Sequence, residues 1–105
     1  MVREVAVVTG AGSGIGHAIA LRLAKDYALI NIDVHGENLE KVEREILATG
    51  GEVQSIVGDV AKRDTHIKAR ELASAKGKLT AWVNCAGWTR GAALHDFPND
   101  PKVFE

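Results

Sequence analysis

Short apolar runs alternate along this chain with longer stretches in which apolar residues return at helical spacing. Four runs stand out, at residues 5–9 (VAVVT), 28–33 (ALINID), 53–57 (VQSIV) and 79–84 (LTAWVN). Each is short, rich in β-branched or bulky side chains and bounded by glycine or polar residues, the pattern of buried strands. Between the first two, Ile15, Ile19 and Leu23 recur every four residues, with Ala18, Ala20 and Ala24 keeping the element slim enough to lie against a sheet. That spacing predicts a helix over 14–25. Between the second and third runs, Leu39, Val42, Ile46 and Leu47 form an apolar stripe opposite Glu40, Lys41, Glu43 and Arg44, and Gly50-Gly51 supplies the stop. A third helix is predicted over 65–76, capped by Asp64 or Thr65, with Ile67 and Leu72 facing inward and Gly77 ending it. After Gly87, Pro98 and Pro101 bracket Asn99-Asp100 and predict a loop.

Strands alternating with helices imply βα units around a parallel sheet, an α/β fold. The 105 residues make one domain, 1–105, with no room for a second. Hydrophobic residues at 46% and charged residues at 26% are those of a soluble globular chain. A net charge of -1 provides no basic field for nucleic acid and no strongly acidic surface. The single cysteine, Cys85, can form neither an internal disulfide nor a zinc knuckle, which fits a reducing, cytoplasmic setting. The first apolar run stops at Gly10, far short of a signal segment or a membrane span, so no membrane association is expected.

Chemistry enters with Thr9-Gly10-Ala11-Gly12-Ser13-Gly14-Ile15-Gly16, which lies between the first strand and the first helix. A phosphate-binding turn needs glycines there. Backbone N–H groups must approach a pyrophosphate without a Cβ in the way, and the following helix adds its uncapped donors and positive dipole end. The competing reading is a turn that is merely Gly-rich. Asp33 ends the second strand at close to the offset of about 20 residues expected for an acid that binds the adenosine ribose. It would accept hydrogen bonds from the ribose hydroxyls and repel a 2′-phosphate. Neither Val34 nor Ser13 is a cation that could welcome one, so NAD is favoured over NADP. The alternative for Asp33 is an acid that simply caps a turn.

Taken together, TGAGSGIG (residues 9–16), Gly58-Asp59-Val60 and Asn84-Cys85-Ala86-Gly87 resemble, in order, the TGxxxGxG, adenine-ring and NNAG motifs of the short-chain dehydrogenase/reductase family. The resemblance runs through the tail WTRGAALHDF. It implies that Gly10, Gly12, Ser13, Gly14, Ile15 and Gly16 line the pyrophosphate and that Asp33 holds the ribose. It further implies that Asp59 hydrogen-bonds the adenine, that Val60 packs on it, and that Asn84, Ala86 and Gly87 line the cofactor site while steadying the central sheet. Read alone, Asp59 and Asn84 are equally well a helix-entry and a strand-end residue.

Two departures from the family pattern are local. Cys85 replaces the second Asn of its motif, a tolerable change in a small buried slot. The segment Ala24-Lys25-Asp26-Tyr27 enters the second strand without a C-capping glycine, predicting a tight, strained connection. The third bears on function. The family's catalytic Ser and Tyr-x-x-x-Lys lie mostly beyond Glu105, the only Tyr is Tyr27, and four residues after it stands Asn31 rather than lysine. No catalytic residue is therefore assigned within the chain. His17, His35, His66 and His95 show no metal-ligand spacing and read as surface residues, so no metal is expected. Ser13 with His17 lacks an orienting acid for nucleophilic chemistry. Trp82 and Trp88 read as core or interface residues rather than a nucleic-acid stacking platform.

The expected architecture is a Rossmann-like three-layer sheet of four strands in the order 3-2-1-4, with the first two helices on one face and the third on the other. The expected function is that of a dehydrogenase/reductase-type oxidoreductase represented by its dinucleotide-binding half, able to bind NAD but not to transfer hydride alone. The alternatives are an enzyme whose missing parts come from a partner or a longer gene product, and a non-catalytic assembly protein reusing the scaffold. An open fourth strand beside incompletely covered apolar surface also predicts a homo-oligomer formed through that edge and face.

Overall fold

The computed structural model describes residues 2–85. The chain alternates strand and helix throughout: β1 (Glu4–Thr9), α1 (Gly14–Leu23), β2 (Ala28–Asp33), α2 (Gly36–Ala48), β3 (Val53–Val57), α3 (Arg63–Lys76) and β4 (Lys78–Asn84). All four strands are parallel, in the order β3-β2-β1-β4. β1 and β2 are central and covered on both faces, so after Glu4 every residue of both is buried and their sequences read as continuous apolar runs.

The helices divide as predicted. Ala20 and Ala24 from α1 and its exit, with Leu39, Val42 and Ile46 of α2, close on Ala6, Val8, Leu29 and Val53. Ala69 and Ala73 of α3 close on Val5, Val7, Ala28, Ile30, Ile32 and Ile56 from the other side. The loop predicted after Gly87, with Trp88 and His95, lies outside the described residues.

Within each helix the inward face differs from the simplest reading of the pattern. In α1 the buried line is Gly16, Ala20 and Ala24, whereas Ile15 is 75% exposed and Ile19 and Leu23 are only partly buried. Small residues face the sheet because the helix lies too close for branched ones. In α2 the stripe narrows to Leu39, Val42 and Ile46, leaving Leu47, one position further round, exposed. In α3 the inward row is Thr65, Ala69 and Ala73, so Ile67 is exposed and Leu72 only partly buried. α3 also starts earlier than predicted, with Lys62 at the N-cap and no side-chain cap from Asp64 or Thr65.

The helix ends explain how connections stay short. α2 ends in a Schellman motif: Gly50 at φ 83 donates to the Leu47 carbonyl (3.0 Å) and Gly51 to that of Ile46 (3.0 Å). α1 ends at Leu23 rather than Lys25, and its exit needs no glycine. Asp26 and Tyr27 both donate to the Leu23 carbonyl, at 3.0 and 2.9 Å, closing the turn within right-handed geometry. No non-glycine residue among those described has positive φ, so the strain expected at this connection is absent. Between α3 and β4 only Gly77 intervenes, and a Cβ on it would meet the Arg3 carbonyl oxygen at 2.0 Å. Its lack of a side chain lets β4 start beside β1, where Lys78 donates to that same carbonyl (2.8 Å).

β4 carries an irregularity that strict alternation does not predict. Val5 pairs with Leu79 but Ala6 with Ala81, leaving Thr80 as an extra residue. The bulge puts Leu79 and Trp82, three apart, on the same face, packed against the α3-side core, while Ala81 packs on the other.

Candidate functional site

The loops after β1, β2, β3 and β4 all open on the carboxyl edge of the sheet. β1 is where the strand order reverses, with β2 on one side and β4 on the other. A crevice forms at such a point because the flanking connections leave toward opposite faces, and ligands of open α/β sheets bind there.

The loop from β1 to α1 is built as a cradle. Gly10 and Gly14 adopt φ 66 and 59, turning the chain tightly into the helix. Ala11 N–H donates to the Ile32 carbonyl (3.2 Å) and Gly12 N–H to Asp33 Oδ2 (2.8 Å), so the loop is fastened to the end of β2. A Cβ on Gly12 would stand 2.7 Å from Asp33 Oδ2 and 3.1 Å from the Cβ of Asn38; one on Gly16 would meet the Gly10 carbonyl oxygen at 2.0 Å. Ser13 is the N-cap of α1 but caps with no side-chain hydrogen bond, and the first turn holds no acid. The positive end of the helix therefore faces the crevice without a carboxylate of its own to offset it.

Asp33 is only 8% exposed, yet it sits at the rim of this cradle. Oδ2 takes Gly12 N–H and Oδ1 takes His35 N–H at 2.9 Å. A carboxylate offers about four acceptor positions, so about two remain for a ligand's hydroxyl pair. The Asp33 carbonyl meanwhile accepts Gly58 N–H (3.0 Å), joining the β2 and β3 ends. Asp59 is exposed just beyond, its Oδ1 taken by Ala61 N–H (2.8 Å) and its carbonyl by Lys62 N–H (2.9 Å), an Asx turn that sets the course of the loop. Val60 is half-buried against the α3-side core. Asn84 ends β4 and is exposed, its Oδ1 accepting from Trp82 Nε1 (2.9 Å).

Gly10, Gly12, Ser13, Gly14, Ile15, Gly16, Asp33, Asp59, Val60 and Asn84 thus all lie on one edge, while Ala86 and Gly87 fall outside the described residues. Ile15, Val34 and Val57, all large apolar side chains on this edge, are exposed. The sequence reading placed Thr9 at the head of the glycine motif without giving it a role, and it did not single out Asn38. Thr9 is buried, and its Oγ1 and carbonyl both accept from Cys85 N–H, at 3.0 and 3.2 Å, clasping the ends of β1 and β4. Asn38 backs Gly12; only its nearness to Asp33 in sequence could have flagged it. His17 meets Glu45 across α1 and α2 at 3.2 Å on the surface, away from any nucleophile role. No group of His, Cys, Asp and Glu suited to a metal occurs among the described residues, nor does any helix long and apolar enough to cross a membrane.

Order and crossovers together define a doubly wound α/β fold with a candidate ligand edge at its switch point. The chain matches the short chain dehydrogenase family over residues 4–103 and belongs to that family of nicotinamide-dinucleotide oxidoreductases. It is 38% identical over 100 residues to cis-2,3-dihydrobiphenyl-2,3-diol dehydrogenase of a Pseudomonas species, covering 92% of this chain and 35% of that one. It is 42% identical over 93 residues to the 3-oxoacyl-[acyl-carrier-protein] reductase FabG of Staphylococcus aureus, covering 85% and 37% respectively. A metagenomic short-chain oxidoreductase solved in complex with NADP superposes with a TM-score of 0.74 at 40% identity, covering 88% of this chain and 43% of its own. The chain therefore spans little more than a third of the length of these curated relatives.

Proposed function

We propose that residues 1–105 form the adenosine-binding part of a short-chain dehydrogenase-type oxidoreductase, taking NAD in preference to NADP and performing no hydride transfer by themselves. The observation that carries this reading is the Asp33 carboxylate, buried at the end of β2 with one oxygen on the glycine loop and acceptor positions left over for ribose hydroxyls. The loop glycines would hold the pyrophosphate with backbone N–H groups and the start of α1. Asp59 and Val60 would meet the adenine. Asn84 would stand toward the nicotinamide, with Ala86 and Gly87 following it in the same motif. The bound cofactor would supply the hydride chemistry, and the chain would supply position and exclusion of water.

NAD is preferred because a 2′-phosphate would enter beside a buried carboxylate with Val34, not a cation, next in the chain. The relative bound to NADP states that protein's choice, and its residues at this corner need not match. Calorimetric titration of the chain with NAD and with NADP, repeated on Asp33→Ala, tests the reading. NAD should bind at least about tenfold tighter than NADP, a difference of about 1.4 kcal/mol, and the variant should lose that preference. Tighter binding of NADP by the unaltered chain would overturn it.

The position of β4 at the edge of the described sheet adds a second element to the reading: self-association through that strand and the half-covered face around Trp82, in a cytoplasmic chain. What supports it is that β4 is terminal in the described sheet and much of it only half-buried.

A further inference from the structure

His66 lies in the first turns of α3 and takes no part in the cofactor contacts proposed above. Its Nε2 reaches the Val60 carbonyl. A carbonyl oxygen only accepts, so Nε2 must carry the proton and donate. The imidazole also lies flat on the indole of Trp82, ring centroids 5.4 Å apart and planes within 4° of parallel, an offset-stacked pair. Trp82 in turn donates from Nε1 to Asn84 Oδ1 at 2.9 Å. One line of contacts therefore runs from Val60, in the loop after β3, through two stacked rings to Asn84 at the carboxyl end of β4. The ends of that line are residues assigned to opposite ends of the cofactor.

Local backbone bonds do not supply this connection. The Asx turn at Asp59 shapes the loop from within, and Gly58 ties it back to β2. Neither reaches across α3 to β4. The bulge at Thr80 keeps both Leu79 and Trp82 on the α3 side, where the indole meets His66.

We propose that His66 is a positioning residue of the nucleotide site. Its bond to the Val60 carbonyl sets the adenine-end loop for the nucleotide, and its stack on Trp82 relays that loop's position to Asn84. The inference rests on the adenosine-site reading and adds to it a residue that touches no ligand.

The test uses the full chain carrying Trp88→Phe, so that Trp82 alone reports; this is the parent protein. His66→Phe keeps a stacked ring and removes the donor; His66→Gln keeps a donor for the Val60 carbonyl and removes the stack. With each protein confirmed folded by circular dichroism, ADP affinity is measured by calorimetry and Trp82 emission is followed during the same titration. His66→Phe should bind ADP about fivefold more weakly, the worth of one net hydrogen bond, and His66→Gln should restore most of that loss. ADP should change Trp82 emission in the parent and not in His66→Phe. Equal ADP affinity in the parent and in His66→Phe would overturn the proposal while leaving the adenosine site standing, as would equal weakening in both variants. Failure of the parent itself to bind ADP would overturn the site and this inference together.

Discussion

A methyl group added at Gly12 would stand 2.7 Å from Asp33 Oδ2, on the atom that receives the Gly12 N–H. Gly12→Ala must push the carboxylate aside or unfasten the loop. It should therefore cost about 1–3 kcal/mol of stability and abolish measurable ADP binding, as read by urea titration and calorimetry. Asn31 presents the opposite case. Its side chain is fully buried in the middle of β2, and neither Nδ2 nor Oδ1 has a hydrogen-bond partner among the described residues. A buried amide left in that state costs about 1–3 kcal/mol. Asn31→Val, which suits a strand and removes the stranded dipole, should raise the urea midpoint by an amount worth about 1 kcal/mol. A fall in the midpoint would show that the amide is satisfied by an internal water.

Elements were legible from the sequence to the extent that their signals are local. Strands β2 and β3 have the bounds their apolar runs predicted, and β1 and β4 start one residue earlier. Helix faces were less legible, because periodicity marks large apolar residues as inward and the closeness of helix to sheet favours small ones. Hence Gly16, Ala20 and Ala24 line α1 while Ile15 is solvated, and Ala69 and Ala73 do the same in α3. The bulge at Thr80 and the ring stack behind it arise from pairing between distant segments and leave no local trace. In the candidate site, spacing in sequence was enough to expect the glycines and Asp33 at one edge, where the structure brings them together, whereas the contacts of Thr9 and Asn38 are ones that only the fold creates. Gly77 is the clearest test at this scale. With the Arg3 carbonyl oxygen 2.0 Å from the position of an added Cβ, Gly77→Ala should separate the start of β4 from β1. We expect a loss of about 3 kcal/mol, seen as a lower denaturant midpoint and faster amide exchange at Lys78. A substitution tolerated within about 0.5 kcal/mol would contradict the packing described.

Across the described fold, the candidate site lies on one edge of the sheet and the buried layers lie behind it. β1 and β2 are buried from both faces, but β4 has one neighbouring strand among those described and a face that is only half-covered. Size-exclusion chromatography with light scattering should find a dimer or larger assembly, weakened by Trp82→Lys, which places a charge on that face; a monomer at all concentrations would remove self-association from the account. The opposite edge offers a control. Its open cleft, lined by Val2, Arg3, Glu4, Asp26, Lys78 and Thr80, mixes both signs of charge, with Arg3 already paired to Glu52 at 3.1 Å. The most direct test is therefore to add ADP to the isotopically labelled chain and map which backbone amide resonances move. Shifts are expected at Gly12, Gly14, His35 and Ala61 on the carboxyl edge, and none at Arg3, Gly77 or Lys78. Shifts confined to the second group, or none at all, would contradict it.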